Sequence, residues 1–401
     1  MLKSLTKFQK RLLASFFLFG LAAPMVVVYA NTFLWRQSAD VVVLAIFNIG
    51  NYAGISLGFL FNAYLLRFFE SGKLYALGCL LQGVVPILMV AMGAQADTYA
   101  LGLGFILGIA QGFFWGNRNA LTSKFTQGPQ RYQFISVETA IGILAGVISP
   151  LLIGWFIAFG ETLPTYTVDQ AYQITSVIGF VLLLISGFLA WPFAMEPFTP
   201  KHFFLTKASS LWNKQRLVEG VNGIASGIES VLPLVIILLF LGQEEAVGSV
   251  KAMTAILSAV AIYAIGKRVR HNHHALLFSL WILLNLTGGI IFAIFYSPGA
   301  ALTLFILGGL VGSLRWSSFA AVMYEIVDKE TGREGSHRFL YLLDREFFLN
   351  AGRVLGLGLL VLVYWYSPEA LIRFGPIGIA LVQIPTLLLL HNLTKNISHS
   401  A

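Results

Sequence analysis

Long apolar runs separated by short polar segments make up almost the whole chain. Each run is hydrophobic over about 20 consecutive residues, the length that an α-helix needs to cross a bilayer. The runs lack the polar and apolar alternation of a membrane β-strand, so we expect helices. The pattern predicts twelve spans, at residues 14–34, 42–66, 74–94, 99–119, 138–160, 172–195, 216–242, 246–266, 275–296, 299–325, 341–366 and 372–391.

Composition agrees with an all-α membrane protein. Hydrophobic residues make up 57% of the chain and charged residues 11%, with a mean hydropathy of +0.79. A soluble domain carries about 25% charged residues. The net charge of +8 is spread over short loops. A nucleic-acid partner would need a basic soluble domain, so we expect none.

A repeated phrase divides the chain into two related halves. Phe-Ile-Leu-Gly occurs at residues 105–108 and again at 305–308, and each copy leads to an arginine, Arg118 or Arg315. Internal repeats of this kind are typical of secondary transporters. We therefore predict two pseudo-symmetric six-helix bundles, at residues 1–195 and 216–401, joined by a cytoplasmic linker at 196–215.

The distribution of charge orients the predicted bundles. Lys and Arg concentrate in alternate connections, and the connections between them carry mainly Asp and Glu. By the positive-inside rule, both termini are expected in the cytoplasm, which predicts an integral plasma membrane protein of the bacterial inner membrane type. No phosphate-binding loop, metal-ligand cluster or catalytic triad is recognisable, so we expect no enzyme activity, cofactor or metal. A monomer is expected.

Twelve spans in two halves resemble the major facilitator superfamily. The family motif between spans two and three is matched by residues 58–62, Gly-Phe-Leu-Phe-Asn, followed by Arg67 and Lys73. Asn62 stands where the family usually has an aspartate that helps to lock the cytoplasmic gate. The resemblance implies gate roles for Asn62 and Arg67, and a central cavity lined by spans one, four, seven and ten.

Charged residues at mid-depth are the first candidates for chemistry, because each costs at least ~2.5 kcal/mol at the bilayer centre without a partner or a cavity. Glu229 in span seven is the candidate proton-coupling carboxyl, since burial favours a bound proton. The alternative is a packing role with a hydrogen bond to Asn222 or a neighbouring span. Arg315 in span ten needs a ligand anion or a carboxylate partner.

Span eleven contributes a polar stripe. Glu346, Asn350 and Arg353 follow a helical spacing of four and three residues, so they share one face. We assign Arg353 and Asn350 to substrate binding, and we assign gate or conformational roles to the charges near the predicted cytoplasmic ends. Those gate residues are Arg118, Glu138, Asp344, Arg345 and Glu346. The alternatives are permanent pairs that hold the helix ends together and, for Arg118, a side chain that reaches water.

Uncharged residues complete the predicted lining. These candidates for substrate contact are Asn51, Gln111, Trp115, Asn285 and Trp316. Hydrogen bonding between helices, or ordinary core packing for the two tryptophans, is the alternative.

The two mid-depth arginines and one carboxyl favour a small solute that bears an anionic group, moved by alternating access with proton coupling. Two alternatives stay open: an exporter of lipophilic compounds or lipids by proton antiport, and a receptor or assembly protein on a transporter scaffold.

Overall fold

The computed structural model describes residues 5–126, 128–194, 205, 208–266, 274–331 and 335–398. The part of the chain within these ranges is helical and contains no strand. Its twelve helices are α1 (Lys7–Ser38), α2 (Val41–Leu65), α3 (Ser71–Met92), α4 (Ala100–Phe125), α5 (Gly128–Thr162), α6 (Val168–Ala190), α7 (Ser210–Phe240), α8 (Glu244–Gly266), α9 (His274–Phe295), α10 (Pro298–Thr331), α11 (Gly335–Tyr366) and α12 (Pro368–Ser398).

Eleven of these helices are long and apolar enough to cross a membrane, counted over the described ranges. The remaining one, α10, contributes a shorter apolar segment, Pro298–Gly312. The helical count of the sequence prediction is therefore confirmed. Several helices extend beyond the predicted spans because an α-helix continues into water wherever its backbone bonds are satisfied. For example, α5 begins at Gly128, ten residues before the predicted span.

The chain forms two compact units. Unit 1 comprises Met1–Thr199 and Gln243–Ala252, and unit 2 comprises Pro200–Gly242 and Met253–Ala401. Helix α8 therefore begins in unit 1 and ends in unit 2. The predicted linker, residues 196–215, lies largely outside the described ranges, so its boundaries stay a prediction.

Glycines set the closest helix contact of unit 1. Along α2 and α4, glycines recur every four residues at 50, 54, 58 and at 104, 108, 112. A Cβ added at Gly54 would clash with the carbonyl oxygen of Phe105, and one at Gly108 with that of Asn51. The two backbones therefore touch directly, as small residues permit inside a membrane.

Helix α7 of unit 2 is interrupted at its middle. Its two segments are Ser210–Glu229 and Leu232–Phe240, and Pro233 follows the interruption. A proline has no N–H, and its ring clashes with the carbonyl four residues earlier. In α7 that earlier residue is Glu229. The helix therefore breaks at the candidate coupling residue.

Candidate functional site in unit 2

Glu229 and Arg315 form a two-bond ion pair between α7 and α10. Arg315 Nη1 donates to Glu229 Oε1 at 2.7 Å, and Nη2 donates to Oε2 at 2.9 Å. The side chain of Arg315 is 18% exposed and that of Glu229 is 25% exposed. The paired geometry matches the planar guanidinium to the carboxylate. The ion pair is therefore formed, and part of each side chain remains exposed.

Trp281 of α9 supports the guanidinium of Arg315. The Cζ atom of Arg315 lies 4.4 Å from the centre of the Trp281 ring, and the tryptophan is buried. A cation over an indole face is attracted by the ring quadrupole. The sequence alone did not single out Trp281. The sequence could have indicated Trp281, because it lies four residues before the candidate Asn285 and so on the same face of α9.

Asn285 and Asn222 each form a hydrogen bond with a group other than Glu229. Asn285 donates to the Trp281 carbonyl at 2.9 Å, and its Oδ1 lies close to Gly308. Asn222, which was the alternative partner for Glu229, accepts a bond from Gln383 at 3.2 Å. The carboxylate of Glu229 is instead bound by Arg315.

A glycine contact brings α11 against α7 beside Glu229. A Cβ at Gly227 would clash with the carbonyl oxygen of Arg353, and one at Gly223 with that of Leu349. The backbone of Arg353 therefore lies next to Gly227, two residues before Glu229. The second candidate arginine, Arg353, therefore lies on a helix that packs against α7 close to Glu229.

The predicted stripe on α11 is connected by hydrogen bonds. Asn350 donates to the carbonyl oxygen of Glu346 at 2.8 Å and accepts a bond from Arg353 Nη1 at 2.9 Å. Asn350 is almost completely buried. The stripe is therefore a continuous polar track along one helix face.

Two further charges of α11, Asp344 and Arg345, are bound by α7. Arg216 donates to Asp344 through Nε and Nη2, both at 2.7 Å, and Trp212 donates to the same carboxylate at 2.7 Å. Arg345 donates to Glu219 at 2.7 Å. Glu219 is fully buried, and sequence reasoning did not select it. It lies near the start of the predicted span 216–242, close to Lys214 and Arg216.

Candidate residues in unit 1

Arg118 and Glu138 form an ion pair between α4 and α5. The guanidinium lies over two rings, with its Cζ atom 4.9 Å from the centre of Phe16 and 5.1 Å from that of Trp115. Arg118 therefore has a carboxylate partner and an aromatic support, as Arg315 has in unit 2. The side chain is also 26% exposed, so its alternative role, a side chain that reaches water, stays open.

Asn62 is a buried amide that joins α2 to α4. It accepts a bond from Asn117 Nδ2 at 2.6 Å, and Asn117 also donates to the Phe113 carbonyl at 2.7 Å. Arg67, in the same motif, lies 5.9 Å from the ring centre of Tyr64. An amide pair thus occupies the place where the family usually has a charge.

The other predicted lining residues differ in what they contact. Asn51 and Gln111 are buried, and within the described ranges Asn51 Oδ1 and Gln111 Nε2 have no hydrogen-bond partner. Trp115 is partly exposed and stacks edge-on against Phe114. The side chain of Trp316 lies outside the described part of the structure.

An ion cluster around the buried carboxylate of Glu244 lies at the C-terminal end of α1. Arg36 binds Glu244 through Nε at 2.9 Å and Nη2 at 3.0 Å, and it also binds Glu161 at 2.6 Å. Tyr172 donates to Glu244 at 2.6 Å. We name these four residues the clasp. From the sequence, the three charged residues of the clasp were counted as loop residues. Each of them lies within a few residues of a helix end.

Similarity to known proteins

The architecture is that of a helical membrane protein of the transporter class. A family model described as Major Facilitator Superfamily matches residues 12–336. The chain belongs to the Major Facilitator Superfamily, and it is an integral membrane protein.

One curated relative and several solved structures match most of the chain at low identity. "Uncharacterized protein YqgE" of Bacillus subtilis (strain 168) is 22% identical over 343 residues, which cover 85% of this chain and 79% of that protein. A crystal structure of a POT family transporter in complex with 5-aminolevulinic acid is 10% identical, with a TM-score of 0.70, and covers 97% of this chain and 96% of that one.

The human organic anion transporter MFSD10 (TETRAN) is 13% identical in sequence, with a TM-score of 0.66. The match covers 95% of this chain and 98% of that chain. At such identities the structural likeness establishes the shared fold.

Proposed function

We propose that this transporter moves a small solute bearing an anionic group together with a proton, and that the Glu229–Arg315 pair couples the two. The observation that carries the proposal is the two-bond contact between these residues at a half-buried site. In this state the carboxylate occupies the guanidinium face that an anionic group of the solute would take.

Charge balance supports loading of the proton and the anion together. The empty pair is neutral, with one positive and one negative charge. When a proton neutralises Glu229 and the solute anion binds Arg315, the site is neutral again. Loading of only one of them leaves a net charge inside the bundle, which is costly in a medium of low dielectric constant.

The break in α7 supports a moving part at this position. Glu229 is the last residue of the first segment of α7, and Pro233 prevents an unbroken helix. Broken helices at binding sites are a recurring device of secondary transporters. A discontinuous backbone allows the carboxyl to leave Arg315 without unwinding a regular turn.

Trp281 supports the role of Arg315 as a fixed anion receptor. After Glu229 is protonated, the guanidinium loses its carboxylate but keeps the buried indole beneath it. The arginine therefore stays in place for the solute. Arg353, beside Gly227, and Asn350 are proposed as further polar contacts on the neighbouring helix.

The names of two structural neighbours agree with an anionic group. One is an organic anion transporter, and the other holds 5-aminolevulinic acid. We extend this property to the present chain as part of the proposal. The solute itself is left open.

A thermal-stability screen of the purified protein tests this function. The probes are succinate, citrate, 5-aminolevulinic acid and glucose 6-phosphate, with tetraphenylphosphonium as a lipophilic cation. We expect at least one anion to raise the Tm of the native protein but not that of Arg315→Gln, since a ligand that binds the folded state stabilises it. Stabilisation by the cation alone, or an anion effect unchanged in Arg315→Gln, would contradict the proposal and favour the exporter alternative.

The anion that stabilises the protein is then tested for transport in reconstituted vesicles. We expect its uptake to be driven by an acidic external medium and to cease in Glu229→Gln. Binding without any flux would instead support the receptor alternative.

A further inference from the structure

A second carboxyl of α7, Glu219, lies in a buried contact with α11. Glu219 and Arg345 are both buried, and Arg345 Nε donates to Glu219 Oε1 at 2.7 Å. Arg345 also binds Glu346 Oε1 through Nη1, at 2.6 Å. Two carboxyls therefore share one guanidinium.

The backbones of α7 and α11 are in direct contact next to Glu219. A Cβ at Gly352 would clash with the carbonyl oxygen of Gly220, the residue after Glu219, and one at Gly356 with that of Ile224. Helices in such contact leave no room for a solvent layer between the two touching backbones. The carboxyl of Glu219 is completely buried beside this contact.

One oxygen of Glu219 is not satisfied. Oε1 accepts bonds from Arg345 and from Gln215, the latter at 3.0 Å. Oε2 is buried and has no hydrogen-bond partner within the described part of the chain. A buried acceptor without a donor is costly, and the cost is larger for an ionised group. A proton on Oε2 removes the charge at that atom.

The charges around Glu219 come mainly from α11. Arg345 binds Glu346 directly, and the amide of Asn350 bonds to both Glu346 and Arg353. Helix α10 contributes Tyr324, which interacts electrostatically with Arg345. Helix α12 contributes the neutral Gln383, which bonds to Asn222.

We propose that Glu219 is a second proton-binding site, separate from Glu229. When Oε2 takes a proton from water, Glu219 becomes a neutral acid, and Arg345 keeps Glu346 as its ionised partner. When the proton returns to water, the bond between Arg345 and the Glu219 carboxylate is restored. Protonation of Glu219 therefore loosens the charged tie between α7 and α11.

The two carboxyls are well separated on the same helix. Ten residues at 1.5 Å each place Glu219 about 15 Å from Glu229 along α7. A test of one site therefore does not depend on the other.

Infrared spectroscopy during an acid to alkaline titration tests the proposal. The experiment uses the full-length Glu229→Gln variant, so that no signal comes from the coupling carboxyl. We expect a C=O band of a water-shielded carboxylic acid that appears on acidification and is lost when Glu219→Gln is added. Asp344→Asn, which removes the carboxyl bound by Arg216, is the matched control and should retain the band.

Glu219→Asp keeps the titrating group if the glutamine variant does not fold. In that variant the band should persist at a shifted frequency, because the shorter side chain changes its hydrogen bonding. A band that is unchanged in Glu219→Gln, or at its native frequency in Glu219→Asp, would overturn the proposal. Either result leaves the role of Glu229 untouched.

Discussion

Arg315 binds both carboxylate oxygens of Glu229, a residue 86 positions earlier in the chain. Arg118 of unit 1, its counterpart in the internal repeat, binds Glu138. Both arginines also lie over a tryptophan ring, Trp281 or Trp115. The two halves thus keep an arginine, a carboxylate and an indole together, although the carboxylates come from helices that do not correspond in the repeat.

Arg315→Lys tests the need for paired donors. Lysine keeps the charge, but its ammonium cannot make two parallel bonds to one carboxylate. We expect the affinity for the stabilising anion to fall at least about tenfold, which corresponds to roughly 1.4 kcal/mol. Titration of the Tm shift against anion concentration measures it. Unchanged affinity would show that Arg315 does not bind the anion.

Trp281→Leu tests the support beneath Arg315. Loss of the cation–π contact is expected to cost about 0.5–2 kcal/mol. We expect weaker anion binding with a retained response to pH, because Glu229 is intact. Trp365→Leu, at an exposed indole on α11, is the control and should bind as the native protein does. Equal binding by both variants would exclude a supporting role for Trp281.

Gly54→Ala tests the contact between α2 and α4. The new methyl group would meet the Phe105 carbonyl, and overpacking of this kind costs about 1–3 kcal/mol. We expect a lower Tm. Gly102→Ala is the control on α4, because a Cβ there meets nothing within 4 Å. It should be neutral or slightly stabilising, since alanine favours helix. Equal effects of both changes would contradict the backbone contact.

Glu244→Gln tests the clasp. The change removes the carboxylate that Arg36 and Tyr172 bind, and bonds to charged groups contribute about 1.5–3 kcal/mol each. We expect a lower Tm and faster maleimide labelling of a cysteine introduced by Val247→Cys, a buried position on the first turn of α8. The native Cys79 is buried, which keeps background labelling low.

Glu245→Gln is the matched control for the clasp. Its carboxylate accepts a bond from the Gln243 backbone and is not part of the clasp. It should leave the labelling rate unchanged. Identical labelling rates in the Glu244 and Glu245 variants would show that the clasp does not keep position 247, at the start of α8, buried.

Apolar runs predicted the helices well because lipid requires both a minimum length and a continuous hydrophobic surface. Helix ends were less accurate. The N-terminal helix begins at Lys7, well before the predicted residue 14, because Thr6 and Gln9 cap it reciprocally. Hydropathy marks the part of a helix within lipid and is insensitive to such caps.

Charged residues at depth were recognisable from the sequence, but their partners were not. Glu229 and Arg315 were selected separately, since nothing local connects residues on α7 and α10. Glu219, Arg36 and Glu244 were missed because a charge near the end of an apolar run looks like a solvated loop residue. Only packing against another helix distinguishes the two cases.

Proton uptake on anion binding tests the central claim most directly. The purified protein is placed in weak buffer with a pH indicator, and the anion identified by thermal stability is added. We predict uptake of about one proton per bound anion, because binding to Arg315 releases Glu229 to be protonated. In Glu229→Gln we predict anion binding without proton uptake, while Glu369→Gln, at an exposed carboxyl of α12, behaves as the native protein. Proton uptake that persists unchanged in Glu229→Gln would contradict the coupling of anion and proton through this pair.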